Sequence, residues 1–187
     1  MTNRRKKLTY IQLIIFTIAA VVYFWMKHLP ILSNNVNMAA KHELFYVTRV
    51  VDGDTLKLSN GEKVRLIGID TPELHYSNKL IRDARRSHRD IKTIQELGRR
   101  AAAFTEGLCY NKNVWLEFDV EKKDKYGRWL GYVYLEDGTF INAKILEEGY
   151  GQVMTIPPNV KYADYFVKLV KEARSNNKGL WAATDNL

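Results

Sequence analysis

Hydrophobic spacing divides this 187-residue chain into three regimes. Leu8 to Met26 form 19 consecutive positions without a charged side chain. A helix of that length rises roughly 28 Å, close to the thickness of a bilayer core. From Leu44 the apolar positions gather into short β-branched and aromatic runs. Leu44–Val51 reads as a strand, Asp52-Gly53 as a turn, Thr55–Ser59 as a second strand, Asn60-Gly61 as another hairpin turn, and Lys63–Ile69 as a third strand. Farther on, Val114, Leu116 and Phe118, then Leu130, Tyr132 and Tyr134, alternate at period two and give strands four and five. The loop Asp119–Arg128 joins them. The third regime is helical, with stretches predicted over Thr93–Cys109, Ile141–Glu148 (ended by Gly149) and Lys161–Ser175 (ended before Gly179).

Five short strands with a helix after the third predict an α+β domain built on an OB-fold: a five-stranded barrel plus three helices. The predicted organisation is a basic tail and signal-anchor helix over residues 1–28, a linker over 29–43, and the globular domain over 44–183.

Charge sharpens this division. The chain carries a net +8, with 29 basic and 21 acidic side chains. Five of those positive charges (Arg4, Arg5, Lys6, Lys7 and Lys27) lie within residues 1–28, which contain no acid. A basic cluster before an apolar span keeps the amino terminus in the cytoplasm and exports the domain beyond it, with Tyr23, Phe24 and Trp25 at the outer interface. The expected location is therefore a membrane-anchored protein with its domain outside the cytoplasm. A cleaved signal peptide and a secreted domain is the alternative. The remaining +3 excludes a strongly basic coat for nucleic acid. Within the domain the excess is local: residues 79–92 hold six basic side chains against two acidic ones. Such a segment either grips a polyanionic backbone, through Arg85, Arg86 and Arg89, or is a solvated helix. The single cysteine, Cys109, excludes an intrachain disulfide and lies in a helical stretch, where a packing role is expected.

Candidate chemistry sits where the predicted strands meet loops. Asp54 follows the Asp52-Gly53 turn, and Asp70 ends the third strand. Two carboxylates so placed suit a hard divalent cation such as Ca²⁺ and not zinc. Asp52 is expected as a solvated turn residue. Glu73 lies just past Asp70, across Pro72, whose ring restricts the local backbone. Arg65 and Arg128 each offer a planar fork of donors that matches two phosphate oxygens; a salt bridge to Glu117 or Asp119 is the structural alternative for either. Acids for a cation and a water, with arginines for a phosphate, point to metal-assisted cleavage of a phosphodiester.

Four fragments in order, Val51-Asp52-Gly53-Asp54-Thr55, Arg65 through Glu73, Asp124-Lys125-Tyr126-Gly127-Arg128, and Lys178-Gly179-Leu180-Trp181, make the region from about Tyr46 to Trp181 resemble the staphylococcal nuclease family. The resemblance implies Ca²⁺ held by Asp54, Asp70 and the main-chain carbonyl of Thr71. It implies Glu73 as general base, Arg65 and Arg128 on the phosphate, and Lys125 and Tyr126 on a terminal nucleotide phosphate. It further implies a Ca²⁺-dependent phosphodiesterase that hydrolyses DNA and RNA, favouring unpaired strands, with low sequence specificity and 3′-phosphate ends. A non-catalytic OB module that binds nucleic acid is the competing reading. Nothing in the sequence points to an obligate protein partner. One departure is clear: the family often carries a tyrosine pair against the base in the segment matching Val153–Asn159, and here that segment has none.

Overall fold

β1 (Leu44–Asp52) is the longest strand, and its two ends serve different neighbours. Its first residues pair antiparallel with β5 (Asn113–Glu117), Phe45 opposite Val114. Its second half pairs with β2 (Thr55–Leu58), from Val47 opposite Leu58 to Asp52 opposite Thr55. β2 turns back onto β3 (Lys63–Leu66). β6 (Trp129–Leu135) lies antiparallel to β5 and parallel to β3, which closes the barrel in the order β1-β2-β3-β6-β5. This is the predicted five-stranded OB-type barrel. The structure, a computed structural model, describes residues 42–182 and, nearer the amino terminus, Thr17, Ile18 and Tyr23, all three helical. The rest of the expected anchor helix and of the linker lies outside the described residues. Among the described residues, no helix is long and apolar enough to cross a membrane.

Period-two alternation fills the barrel. Leu56 and Leu58 of β2 and Val64 and Leu66 of β3 point inward and are buried, whereas Lys57 and Lys63 face solvent. The interior continues through Val47, Val114, Tyr132 and Val133 into Ile141, Ile145, Leu146 and Phe166 of the carboxy-terminal helices. Burying each such side chain contributes roughly 1.5–3 kcal/mol relative to leaving it in water. Cys109 is fully buried, donates to the Thr105 carbonyl at 3.2 Å, and has its thiol pKa pushed up to about 12 by burial. The expected packing role is what the structure shows.

Three features depart from the predicted layout. The third strand does not run unbroken from Lys63 to Ile69. It ends at Leu66, and β4 (Gly68–Asp70) leaves the barrel. Gly68 has φ +81°, and a Cβ there would lie 2.5 Å from the Phe166 ring, so only glycine fits this bend. β4 instead pairs with β7 (Gln152–Met154), a three-residue strand that exists only as its partner and has no period of its own to be read.

Among the described residues of the domain, 42–182, the helices number four, not three. α1 (Asn78–Ser87) precedes α2 (Ile91–Cys109), and α3 (Ile141–Glu147) and α4 (Ala163–Ser175) follow β6. α1 is capped by Ser77, whose Oγ accepts from the Leu80 N–H at 3.1 Å, and it stops at His88, which turns left-handed at φ +55°. Only Leu80 of α1 is buried, which is why no apolar stripe marked it in the sequence. α2 begins two residues before its predicted start because Asp90 accepts from the Thr93 N–H at 2.9 Å and so serves as N-cap. Ile94, Leu97, Gly98, Ala101, Thr105 and Cys109 form its buried stripe.

Candidate active site

β3 places Arg65 on the opposite face from Val64 and Leu66, so its side chain leaves the barrel interior. There it joins two acids. One Nη pairs with Asp54 Oδ1, and the other lies 3.1 Å from both Asp70 Oδ1 and the Ile69 carbonyl. Arg65 is thus a clasp between the β1–β2 turn and the end of β4. Its side chain is only 12% exposed. Burial lowers its pKa, Asp70 opposes that shift, and the nearby charge of Arg128 adds to it. A guanidinium stays protonated at neutral pH regardless.

Asp54 is 4% exposed and fully engaged. Besides Arg65, its Oδ1 accepts from Thr55 Oγ1 at 3.1 Å, and its Oδ2 accepts from the main-chain N–H and the hydroxyl of Thr71, both at 3.0 Å. The turn that carries Asp54 is held from behind by α2, whose Thr105 hydroxyl donates to the Gly53 carbonyl at 2.8 Å. Asp52 is not the solvated turn residue expected. It is half-buried, accepts from the Gly53 N–H at 2.9 Å, and burial raises its carboxyl pKa above the ordinary value.

Asp70 Oδ1, Glu73 Oε1 and the Thr71 carbonyl converge on the ammonium of Lys79, at 2.9, 2.8 and 3.1 Å. Burial alone would lower the pKa of Lys79, but Asp70 and Glu73 outweigh it, and the pKa lies above the usual lysine value. Glu73 is held on its other oxygen by Ser77 Oγ at 3.2 Å. Opposite this cluster, Arg128 Nε donates to Asp124 Oδ2 at 2.7 Å, while the Arg128 and Tyr126 N–H groups donate to Asp124 Oδ1 at 3.0 and 2.9 Å. The Asp124–Arg128 loop is therefore wound around its own carboxylate. Neither arginine makes the ion pair to Glu117 or Asp119 that was its structural alternative; Glu117 pairs with Lys161, and Asp119 accepts from the Tyr132 hydroxyl and the Lys161 N–H.

Asp52, Asp54, Arg65, Asp70, Glu73, Lys125, Tyr126 and Arg128 all line one cavity of about 700 Å³; Thr71 is not in its lining, and its carbonyl accepts from Lys79, which is. Of the basic segment, Lys79 and Arg82 face this cavity. Arg86 and Arg89 do not. They line a separate cavity of about 220 Å³ on the other side of Asp70-Thr71-Pro72, and Arg85 is exposed. Where the family often has tyrosines, Met154 and Ile156 line the large cavity. Tyr162 is occupied elsewhere, in a network with Tyr134 and Glu117.

A family profile described as "Staphylococcal nuclease homologue" matches residues 63–183. The chain belongs to the staphylococcal nuclease family. Its relatives in that family include a thermonuclease of Staphylococcus intermedius, 39% identical over 142 residues that cover 74% of this chain and 76% of the relative. An uncharacterized protein of Methanocaldococcus jannaschii, MJ1439, is 37% identical over 169 residues, 82% of this chain and 80% of the relative. The SPbeta prophage-derived endonuclease YokF of Bacillus subtilis is 37% identical over 147 residues, 75% of this chain and 45% of the relative.

The donor set in this staphylococcal nuclease relative suits the hard cation that the family implies. Among the described residues, no group of three or more His, Cys, Asp and Glu side chains has the arrangement of a self-sufficient metal site. What is present is oxygen: two aspartates, a main-chain carbonyl and a glutamate, three of them already turned toward one positive charge on Lys79. Such a set, completed by water, matches the chemistry of Ca²⁺. Lys79 and Ser77 are the residues that sequence reasoning missed. Lys79 stood out only as one of six charges in a basic segment, and Ser77 had a legible signal as an N-cap before Asn78.

Proposed function

We propose that this chain is a Ca²⁺-dependent phosphodiesterase that hydrolyses DNA and RNA, favours unpaired strands, and leaves 3′-phosphate ends. The observation that carries the reading is the Arg65 clasp, which holds Asp54 and Asp70 in the same cavity as Glu73 and Arg128. Asp54, Asp70 and the Thr71 carbonyl would hold the ion, which would supply polarisation of a phosphoryl oxygen and offset charge that builds there.

The rest is done by side chains. Glu73 takes a proton from the attacking water. The water oxygen bonds to phosphorus as the bond to the 5′ oxygen breaks, and the departing 5′ oxygen takes up a proton. Arg65 and Arg128 bind the phosphoryl oxygens through their forked donors, stabilising the extra negative charge of the transition state. Lys125 and Tyr126 contact a terminal phosphate. Arg85, Arg86 and Arg89 hold flanking backbone from outside the cavity. All these groups address phosphate and none a base edge, so sequence specificity is low. Tethering is the role proposed for Leu8–Met26 behind its basic cluster; carbonate extraction of membranes tests it, and release of the chain into the soluble fraction would contradict it.

The direct test incubates the full chain with single-stranded DNA in Ca²⁺ or in chelator, beside Glu73→Gln. Cleavage that chelator abolishes, and a loss of two or more orders of magnitude in kcat for the variant, are expected. No chelator-sensitive cleavage, with the variant indistinguishable from the parent, overturns the proposal and leaves a non-catalytic nucleic-acid-binding module. Replacing Arg85, Arg86 and Arg89 together by glutamine should raise KM and flatten its salt dependence.

A further inference from the structure

We infer that Lys79 is a built-in competitor for the divalent cation: its ammonium holds oxygens of Asp70, Thr71 and Glu73 and must leave before a metal ion can bind Asp70 and the Thr71 carbonyl. The inference rests on the metal reading above. It concerns a residue of α1 to which that reading gives no role.

The geometry is that of a cation held by converging oxygens. The Lys79 ammonium donates to Glu73 Oε1 at 2.8 Å and to the Thr71 carbonyl at 3.1 Å, and it is ion-paired with Asp70 Oδ1 at 2.9 Å. Two of the three are carboxylate oxygens. In the metal reading Ca²⁺ needs two of these oxygens, those of Asp70 and the Thr71 carbonyl, at roughly 2.3–2.6 Å. A metal ion at that distance and the ammonium cannot both occupy the convergence point, and two like charges in a half-buried site repel strongly. Binding is therefore an exchange of one cation for another.

The lysine is also mechanically tied to its place. It sits in the first turn of α1, two residues after the Ser77 cap, and that cap hydroxyl holds the other oxygen of Glu73. Helix start, lysine and glutamate form one unit. Exchange consequently loosens the first turn of α1 while it frees Glu73 from an ion pair. Arg82, one turn farther along the same helix, already faces the cavity, so α1 has a second cation that lines the site without touching the three oxygens.

The test is Ca²⁺ affinity by titration calorimetry on the full chain and on Lys79→Met. Lys63→Met serves as a control, since Lys63 lines the same cavity and its loss changes the net charge equally. Lys79→Met should bind Ca²⁺ at least tenfold more tightly than the parent, and Lys63→Met less than threefold more tightly. Equal affinity of Lys79→Met and parent, or an equal gain in both variants, overturns the competitor. No Ca²⁺ binding by any of the three proteins instead removes the metal reading, and this inference with it. Should Lys79→Met fail to fold, hydrogen exchange on the parent decides. Ca²⁺ is expected to speed exchange across residues 77–83, and unchanged or slower exchange there would refute displacement.

Discussion

The Ser77 hydroxyl caps α1 and holds Glu73 at once: it accepts from the Leu80 N–H at 3.1 Å and donates to Glu73 Oε2 at 3.2 Å. The helix inserted after Pro72 is thus registered on the carboxylate proposed to act as base. Ser77→Ala removes both contacts. A lost cap costs about 1 kcal/mol. Glu73 should also become less well positioned, so kcat falls severalfold while KM moves little. Urea denaturation and steady-state kinetics check the two effects separately, and a stability loss with unchanged kcat would show that the cap alone matters.

Gly98 lies where α2 passes the main chain of Glu73. A Cβ there would sit 2.7 Å from the Glu73 carbonyl carbon and oxygen. Helix propensity alone favours alanine at this position by about 1 kcal/mol. Backbone-to-Cβ overlap outweighs that, because a main chain cannot swing aside as a flexible side-chain end can, and overpacking costs about 1–3 kcal/mol. Gly98→Ala should therefore destabilise the fold and lower kcat together. A raised melting temperature would contradict this reading.

Arg65 supports the site's structure as well as its chemistry. Replacing it by methionine leaves the buried Asp54 carboxylate without its cation, and loss of one partner of a buried pair costs about 3–5 kcal/mol. Lysine keeps the charge but has no fork to span Asp54 and Asp70. Arg65→Lys should keep much of the stability and still lose activity by two or more orders of magnitude. Thermal unfolding of the two variants side by side checks the first expectation, and an assay under saturating Ca²⁺ checks the second.

Acid should loosen the Asp124–Arg128 loop. Burial would raise the Asp124 pKa, but hydrogen bonds from the Arg128 side chain and from the N–H groups of Arg128 and Tyr126 outweigh it, and the pKa falls below the ordinary 3.8. A carboxyl whose folded pKa is depressed contributes stability that is fully present above the unfolded value and is lost as pH falls through the folded one. Asp124→Asn should therefore be less stable than the parent at pH 6, with the gap closing below pH ~3.8. Denaturation midpoints at the two pH values measure this, and a gap that persists in acid would point to a steric cause.

Some of this protein could be read along the chain. Alternation at period two marked the barrel strands because one face of each meets a closed interior and the other meets water or a helix. The stripe from Ile94 to Cys109 marked α2 for the same reason. Asp54, Arg65, Asp70, Glu73 and Arg128 were identifiable as site residues because each lies in a short fragment whose turn and strand chemistry is local. What escaped was set by contacts distant in sequence. Gly68 bends because Phe166, nearly a hundred positions later, fills the space a side chain would need. β7 forms only against β4, and α1 buries a single residue and carries no stripe. The partners of the site were equally hidden. Chain order alone named Asp54, Arg65, Asp70, Glu73 and Arg128 as charged groups of the site, but not Asp52 or Lys79. Folding joined Arg65 to the two aspartates and set Lys79 against three oxygens at once, because an ion pair depends on which charges come within about 3 Å in a half-buried place, and chain order does not carry that distance.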